Sequence, residues 1–261
     1  MPEVTNHVHG TPSWTDLASP DPAASQEFYG ALFGWDFEEN PTDGGGTYVM
    51  CTKGGKSAAG MMQLSEQMAA AGMPPVWSTY VTVDDIEATA AKVEPAGGRV
   101  MQPPMDVMDN GRMAVLAEST GAMICLWEKK ETIGAEVVNE HGALTWNELM
   151  SKDPGKAADF YAEVLAWTTQ IMPMPDGDYT VFFTPGGDEN GIAGGMKSPV
   201  EGMPSFWGVY FAVDDCDATV AAATDAGATV MAEAMSVPDV GRFAAIADPQ
   251  GAMFSVMTPE G

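Results

Sequence analysis

Almost every long motif in this chain occurs twice, at a spacing that drifts only from 132 to 130 residues. "GTPSWTDL" (10–17) returns as "GALTWNEL" (142–149), and "DPAASQEFYGALFGW" (21–35) as "DPGKAADFYAEVLAW" (153–167). "GMPPVWSTYVTVDD" (72–85) returns as "GMPSFWGVYFAVDD" (202–215), and "NGRMAVLAESTGAMICLW" (110–127) as "VGRFAAIADPQGAMFSVM" (240–257). A unit of about 120 residues is too long for a solenoid repeat. Two tandem domains follow, 1–130 and 131–261, joined near "KKETIGAEVVNEHG" (129–142), and each copy is expected to bury its own core.

Within a copy the elements follow from local chemistry. Asp21 is a plausible N-cap, Pro22 suits the first helical turn, and Phe28, Leu32 and Phe33 make an apolar stripe that Gly34 ends. "VWSTYVTV" (76–83), rich in β-branched and aromatic residues, predicts a strand. "DDIEATAAKV" predicts a second helix closing at Gly97 and Gly98. Further strands are expected at 47–52, 58–63, 112–117 and 122–128. The order, strand, helix and three strands used twice, indicates an α+β fold with a curved, mostly antiparallel sheet backed by helices.

This β-α-β-β-β unit resembles the vicinal oxygen chelate superfamily of glyoxalase I, the bleomycin-resistance proteins and the extradiol dioxygenases. The likeness rests on "FYGALFGW" in the first helix, "VDD" opening the second and "DPQGA" before the last strand, and it covers roughly residues 10–258. It is nearest to two-domain actinobacterial proteins labelled glyoxalase or hydroxylase. The resemblance implies that paired units form a cup lined by one side-chain row of each strand. It also implies a divalent metal held by His or Gln on the first strand, His on the fifth and Glu on the last. Carried over, those positions fall on Trp14, Ser78 and Cys125, and in the second domain on Trp146, Gly208 and Ser255. None is His or Glu, so no metal and no other cofactor is expected. Met62 and Met196 lie near a fourth ligand's place, where a thioether is a poor donor for Zn or Mg. Of the three histidines, His7 and His9 precede the fold in a tail, and His9 and His141 suit a strand-entry role.

Alternation along a strand then fills each cup. Asp16 faces the same way as Trp14, and Glu148 the same way as Trp146. Tyr80 and Tyr210 join them, with Met123, Cys125 and Trp127 in the first cup and Met253, Ser255 and Met257 in the second. An apolar, aromatic cavity with one carboxylate suits a flat organic molecule. The 20 methionines serve equally as adaptable ligand contacts or as core filler. Arg112 and Arg242, two of three arginines, recur 130 residues apart and either anchor a ligand or neutralise Asp16 and Glu148.

Three functions remain open. The chain binds an aromatic or hydrophobic metabolite or antibiotic without metal; or it is a cofactor-free lyase or isomerase using Asp16 or Glu148 for proton transfer; or it is a metal-dependent glyoxalase or dioxygenase. The formal charge of −26 repels phosphate backbones and anionic membranes, so the partner is a small molecule and neither nucleic acid nor membrane. Three cysteines without CxxC spacing imply no disulfide framework, and the N-terminus lacks a signal peptide's basic and apolar regions. A cytoplasmic monomer or homodimer is expected.

Overall fold

The computed structural model describes residues 4–42, 45–70, 72–174, 177–186, 191–198 and 200–260. The first copy begins with β1 (Pro12–Ser19), α1 (Pro22–Phe33), β2 (Asp36–Pro41), β3 (Thr47–Lys53) and β4 (Lys56–Gln63). It continues with α2 (Glu66–Ala70), β5 (Val76–Thr82), α3 (Ile86–Ala90), β6 (Arg99–Val107), β7 (Gly111–Ala117) and β8 (Met123–Lys129). The second copy opens with β9 (Leu144–Ser151), α4 (Pro154–Leu165), β10 (Thr168–Met174), β11 (Gly177–Phe183) and β12 (Ala193–Lys197). It ends with β13 (Phe206–Ala212), α5 (Cys216–Asp225), β14 (Thr229–Val237), β15 (Gly241–Ala247) and β16 (Met253–Pro259).

Each copy forms one eight-stranded sheet, in the orders β2-β3-β4-β1-β5-β8-β7-β6 and β10-β11-β12-β9-β13-β16-β15-β14. The two βαβββ units of a copy meet where β1 runs antiparallel to β5 and β9 to β13, and this central pairing carries the cup floor.

The first helices start alike. Asp21 accepts the Ala24 N–H at 3.2 Å and Asp153 the Lys156 N–H at 3.0 Å, with Pro in the first turn of both. They end differently: Gly34 takes the left-handed conformation at φ 69°, whereas its counterpart Ala166 takes it at φ 56° despite its Cβ. The expected helix to Gly97 stops early, at Ala90. Pro95 has no N–H to give and its ring crowds the carbonyl of Ala91, so the chain tightens into turns, such as Val93 N–H to Ala90 O. The second copy has Asp225 at that place, and α5 runs on to it.

Neither copy buries its own core, contrary to the expectation from the repeat. Phe28, Tyr29, Phe33 and Trp35 of the first copy pack with Val209, Phe211, Ile246 and Phe254 of the second. Reciprocally, Phe160, Tyr161, Trp167 and Trp207 pack with Val81, Ile86, Leu116 and Ile124. Polar bonds cross with them: Trp35 Nε1 donates to Gly142 O at 2.7 Å, Trp167 Nε1 to Gly10 O at 2.8 Å, and Tyr29 Oη to Asp248 Oδ2 at 3.0 Å. A chain ending at residue 130 therefore exposes half of two cores. We expect it to show no cooperative thermal transition until a 131–261 fragment is added. A sharp transition of the isolated fragment, read by near-ultraviolet circular dichroism, would contradict the shared cores.

Candidate functional site

Cross-strand register brings the cup floor together. Trp14 stands opposite Tyr80 and Asp16 opposite Ser78 across β1 and β5; Tyr80 meets Cys125 on β8, and Met113 meets Trp127 across β7 and β8. In the second copy Trp146 is opposite Tyr210, Glu148 opposite Gly208, and Tyr210 beside Ser255. All lie on one face of their sheet, because cross-strand partners share a face.

At the centre of each floor a buried carboxylate accepts from tyrosines. Tyr80 Oη donates to Asp16 Oδ2 at 2.8 Å, with Tyr48 Oη at a longer 3.4 Å, and Trp14 Nε1 donates in turn to Tyr48 Oη at 2.9 Å. The second floor repeats the chain of bonds. Tyr210 Oη donates to Glu148 Oε2 at 2.7 Å, Tyr179 Oη to Oε1 at 3.0 Å, and Trp146 Nε1 to Tyr179 Oη at 3.0 Å. Tyr48 and Tyr179 escaped the sequence reading. Their signal lay in a pair of glycines: Gly60 and Gly194 sit beside the carboxylates on β4 and β12, where any Cβ would strike the tyrosine hydroxyl.

Asp16 is 2% exposed. Burial pushes its carboxyl up to about 6, against the pull of the Tyr80, Tyr48 and Ser78 hydroxyls. Burial raises Glu148 as well, opposed by Tyr210 and Tyr179. The same burial, with Asp16 adding to it, keeps Tyr80, Tyr48 and Cys125 protonated.

A model of the Glyoxalase/Bleomycin resistance protein/Dioxygenase superfamily matches residues 8–126, and a glyoxalase-like domain model matches residues 144–257. The chain belongs to this superfamily. It is 45% identical over 260 residues to the Mycobacterium tuberculosis protein named "Putative glyoxylase CFP32", covering 99% of this chain and 98% of that one. It is 37% identical over 269 residues to the Streptomyces peucetius anthracycline biosynthesis protein DnrV, covering 97% and 95%. It shares its fold with the Mn(II)-bound glyoxalase of Novosphingobium aromaticivorans, with a TM-score of 0.67 at 13% identity over 96% and 83% of the two chains.

The donors in these cups do not fit the metal that the superfamily implies. The indole N–H groups of Trp14 and Trp146 are donors with no lone pair to offer, Gly208 has no side chain, and the Cys125 thiol is held in its protonated form. Asp16 and Glu148, the residues in register with Ser78 and Gly208, are carboxylates already engaged by tyrosine hydroxyls. Among the described residues, no group of three or more His, Cys, Asp or Glu side chains could hold a metal ion. The histidines lie elsewhere. His7 is buried in a 2.7 Å bond with Ala135 O, so this stretch is part of the fold rather than a loose tail. His9 and His141 each accept a backbone N–H, from Asp84 and Asp214, at 3.2 Å.

The two arginines do not join the site. Arg112 is in register with Glu128 and Asp106, on the face opposite Cys125 and Trp127, and its Nη2 lies 2.5 Å from Glu87 Oε1. Arg242 grips Asp217 with two bonds of 2.7 Å. The expectation that they neutralise Asp16 and Glu148 or anchor a ligand in the cups is thereby corrected: an even residue on β7 or β15 points away from the cup.

Because the native carboxyl of Asp16 is raised from 3.8 to about 6, burial favours its protonated form. Its contribution to stability is full at low pH and is lost as pH rises through about 6. Asp16→Asn removes that loss. The variant's stability relative to the wild type should therefore rise by about 2 kcal/mol between pH 4.5 and 7.5. Urea denaturation at both pH values measures this, and an unchanged difference would refute it.

Proposed function

We propose that the chain binds a flat, largely apolar aromatic molecule in its cups without a metal ion. One observation carries this reading: where the superfamily implies metal donors, each floor holds a Trp–Tyr–carboxylate–Tyr chain of hydrogen bonds. The residues that face the cups are Trp14, Ser78, Tyr80, Cys125 and Trp127 in one, and Trp146, Gly208, Tyr210 and Ser255 in the other. Indole, phenol and thioether groups offer broad, polarisable contact, and the carboxylate orients a hydroxyl or carbonyl-derived enol. The likeness to a protein named for anthracycline biosynthesis supports this ligand class, since an anthracycline is a fused-ring aromatic compound. The surface of net charge −26 favours a neutral or cationic ligand over an anionic one. A cytoplasmic protein accords with this reading, and no described helix is long and apolar enough to cross a membrane.

The test is tryptophan quenching and thermal shift with a neutral dihydroxyanthraquinone such as quinizarin, before and after exhaustive chelation. We expect saturable binding whose dissociation constant changes less than about twofold on chelation. Binding abolished by chelation and restored by Mn(II) would overturn the metal-free reading.

A second reading has its own observation: a carboxyl raised to about 6 is poised to exchange a proton near neutral pH. On this reading Asp16 or Glu148 removes a proton next to a substrate carbonyl, and the protein is a cofactor-free lyase or isomerase. Asp16→Asn and Glu148→Gln should then each lower turnover of a responsive aromatic ketone at least a hundredfold while both proteins stay folded. Unchanged turnover in both would eliminate it.

A further inference from the structure

The two cups repeat each other's hydrogen bonds but not their surroundings. In the first, the segment that follows β8 turns back across the strand ends. Thr132 O accepts from Trp127 Nε1 at 2.9 Å, and Ala135 N–H donates to Ser13 O at 2.7 Å. Ala135 is fully buried in one cluster with Trp14, Tyr80, Cys125 and Trp127, and Val138 packs on it. The segment is fastened on both sides, by His7 to Ala135 O and by the Glu136 carboxylate, which accepts the Ser57 N–H at 2.9 Å. The space over the first floor is thus filled by the protein's own chain.

In the second cup the side chains themselves recede. Met257 stands where the first cup has Trp127, Ala245 where it has Val115, and Gly208 where it has Ser78; Phe243 for Met113 is the one bulkier change among these positions. A Cβ added to Gly208 would meet Glu148 O at 3.7 Å and Phe206 Cε2 at 3.9 Å, ordinary van der Waals contacts, so the place that Ser78 fills in the first cup has room for a side chain that the second lacks. Trp146 is half-buried where Trp14 is buried. The outer wall also changes chemistry. On the first sheet the edge partner of Tyr48 is Asn40, with Glu38 opposite Met50; on the second, the edge partner of Tyr179 is Met172, 45% exposed.

We infer that the two cups have divided their work: the second is the ligand site, and the first is a closed structural core. This deepens the reading of the cups as aromatic-binding cavities and rests on it. The second cup takes a neutral aromatic plate between Trp146 and the Met257–Ala245 wall. A phenolic or enolic hydroxyl of the ligand donates to a lone pair of Glu148 that Tyr179 and Tyr210 leave free.

Matched substitutions in the full chain separate the cups. Ala245→Phe fills the second, and Val115→Phe places the same ring at the equivalent point of the first. With quinizarin as probe, Ala245→Phe should weaken binding at least tenfold and Val115→Phe less than twofold. Gly208→Leu provides a second obstruction of the second cup should Ala245→Phe fail to fold. Weakening by Val115→Phe alone, or equally by both, would overturn the assignment to the second cup while leaving aromatic binding intact. An absence of saturable binding by the unaltered protein would overturn both.

Discussion

The outer faces of the two sheets can be dried only by each other's copy, and the rest of the molecule depends on that constraint. An eight-stranded curved sheet presents a broad convex face, and α1 or α4 alone is too narrow to cover one. The structure solves this by sharing: aromatic side chains of α1 pack on Leu17, Met61 and Trp77 of their own sheet and also on Phe211 and Phe254 of the second, and those of α4 on Leu149 and Trp207 of their own sheet and also on strands of the first. Large aromatic residues bury much apolar area in both seams: in one they meet edge to face across the copies, as Tyr29 does with Phe254 at 5.4 Å and Trp77 with Phe211 at 5.2 Å, and in the other Phe160, Tyr161, Trp167 and Trp207 pack on aliphatic residues of the first copy. With the convex faces committed to folding, the concave faces carry the two buried carboxylates.

A carboxylate on such a concave face is costly unless it is hydrogen-bonded. The chain meets this through tyrosines rather than through Arg112 or Arg242. Tyrosine hydroxyls donate to Asp16 and Glu148, leaving each floor at most singly negative and close to neutral once the carboxyl binds a proton. Arg112 and Arg242 lie outside the cups, where they tie α3 and α5 to the sheets through Glu87 and Asp217. A raised carboxyl and an uncharged tyrosine favour ligands that exchange hydrogen bonds rather than charge.

Much of this was legible in the sequence, and what was not has identifiable causes. Helix α1, strand β5 and the shared face of Trp14 and Asp16 followed from capping chemistry and alternation, whereas turning that face to the cup needed the likeness to the superfamily. Strands β2 and β6 gave no periodic signal because they are edges, mostly exposed on both faces, and β6 is also interrupted by Pro103 and Pro104. The direction of Arg112 needed the register across β7 and β8, which a single strand cannot supply. The exchange of cores was hidden because an apolar stripe on α1 states that a face is buried, not which sheet buries it. His7 looked peripheral since nothing local shows that Ala135, 128 residues away, lies against it.

Duplication within one chain also explains how the two floors came to differ without loss of fold. Both copies keep the groups that hold the carboxylate, including the glycine beneath each outer tyrosine, because a buried acid without donors would destabilise either sheet. Positions above the floor carry no such obligation. There the first copy has Trp127 and Val115 packed beneath the connecting segment, while the second has Met257 and Ala245. The linker can lie on only one cup, and its bonds from Thr132 to Glu136 place it on the first. The asymmetry between two otherwise similar cavities therefore follows from chain connectivity: the segment that joins the copies is also the segment that fills one of them.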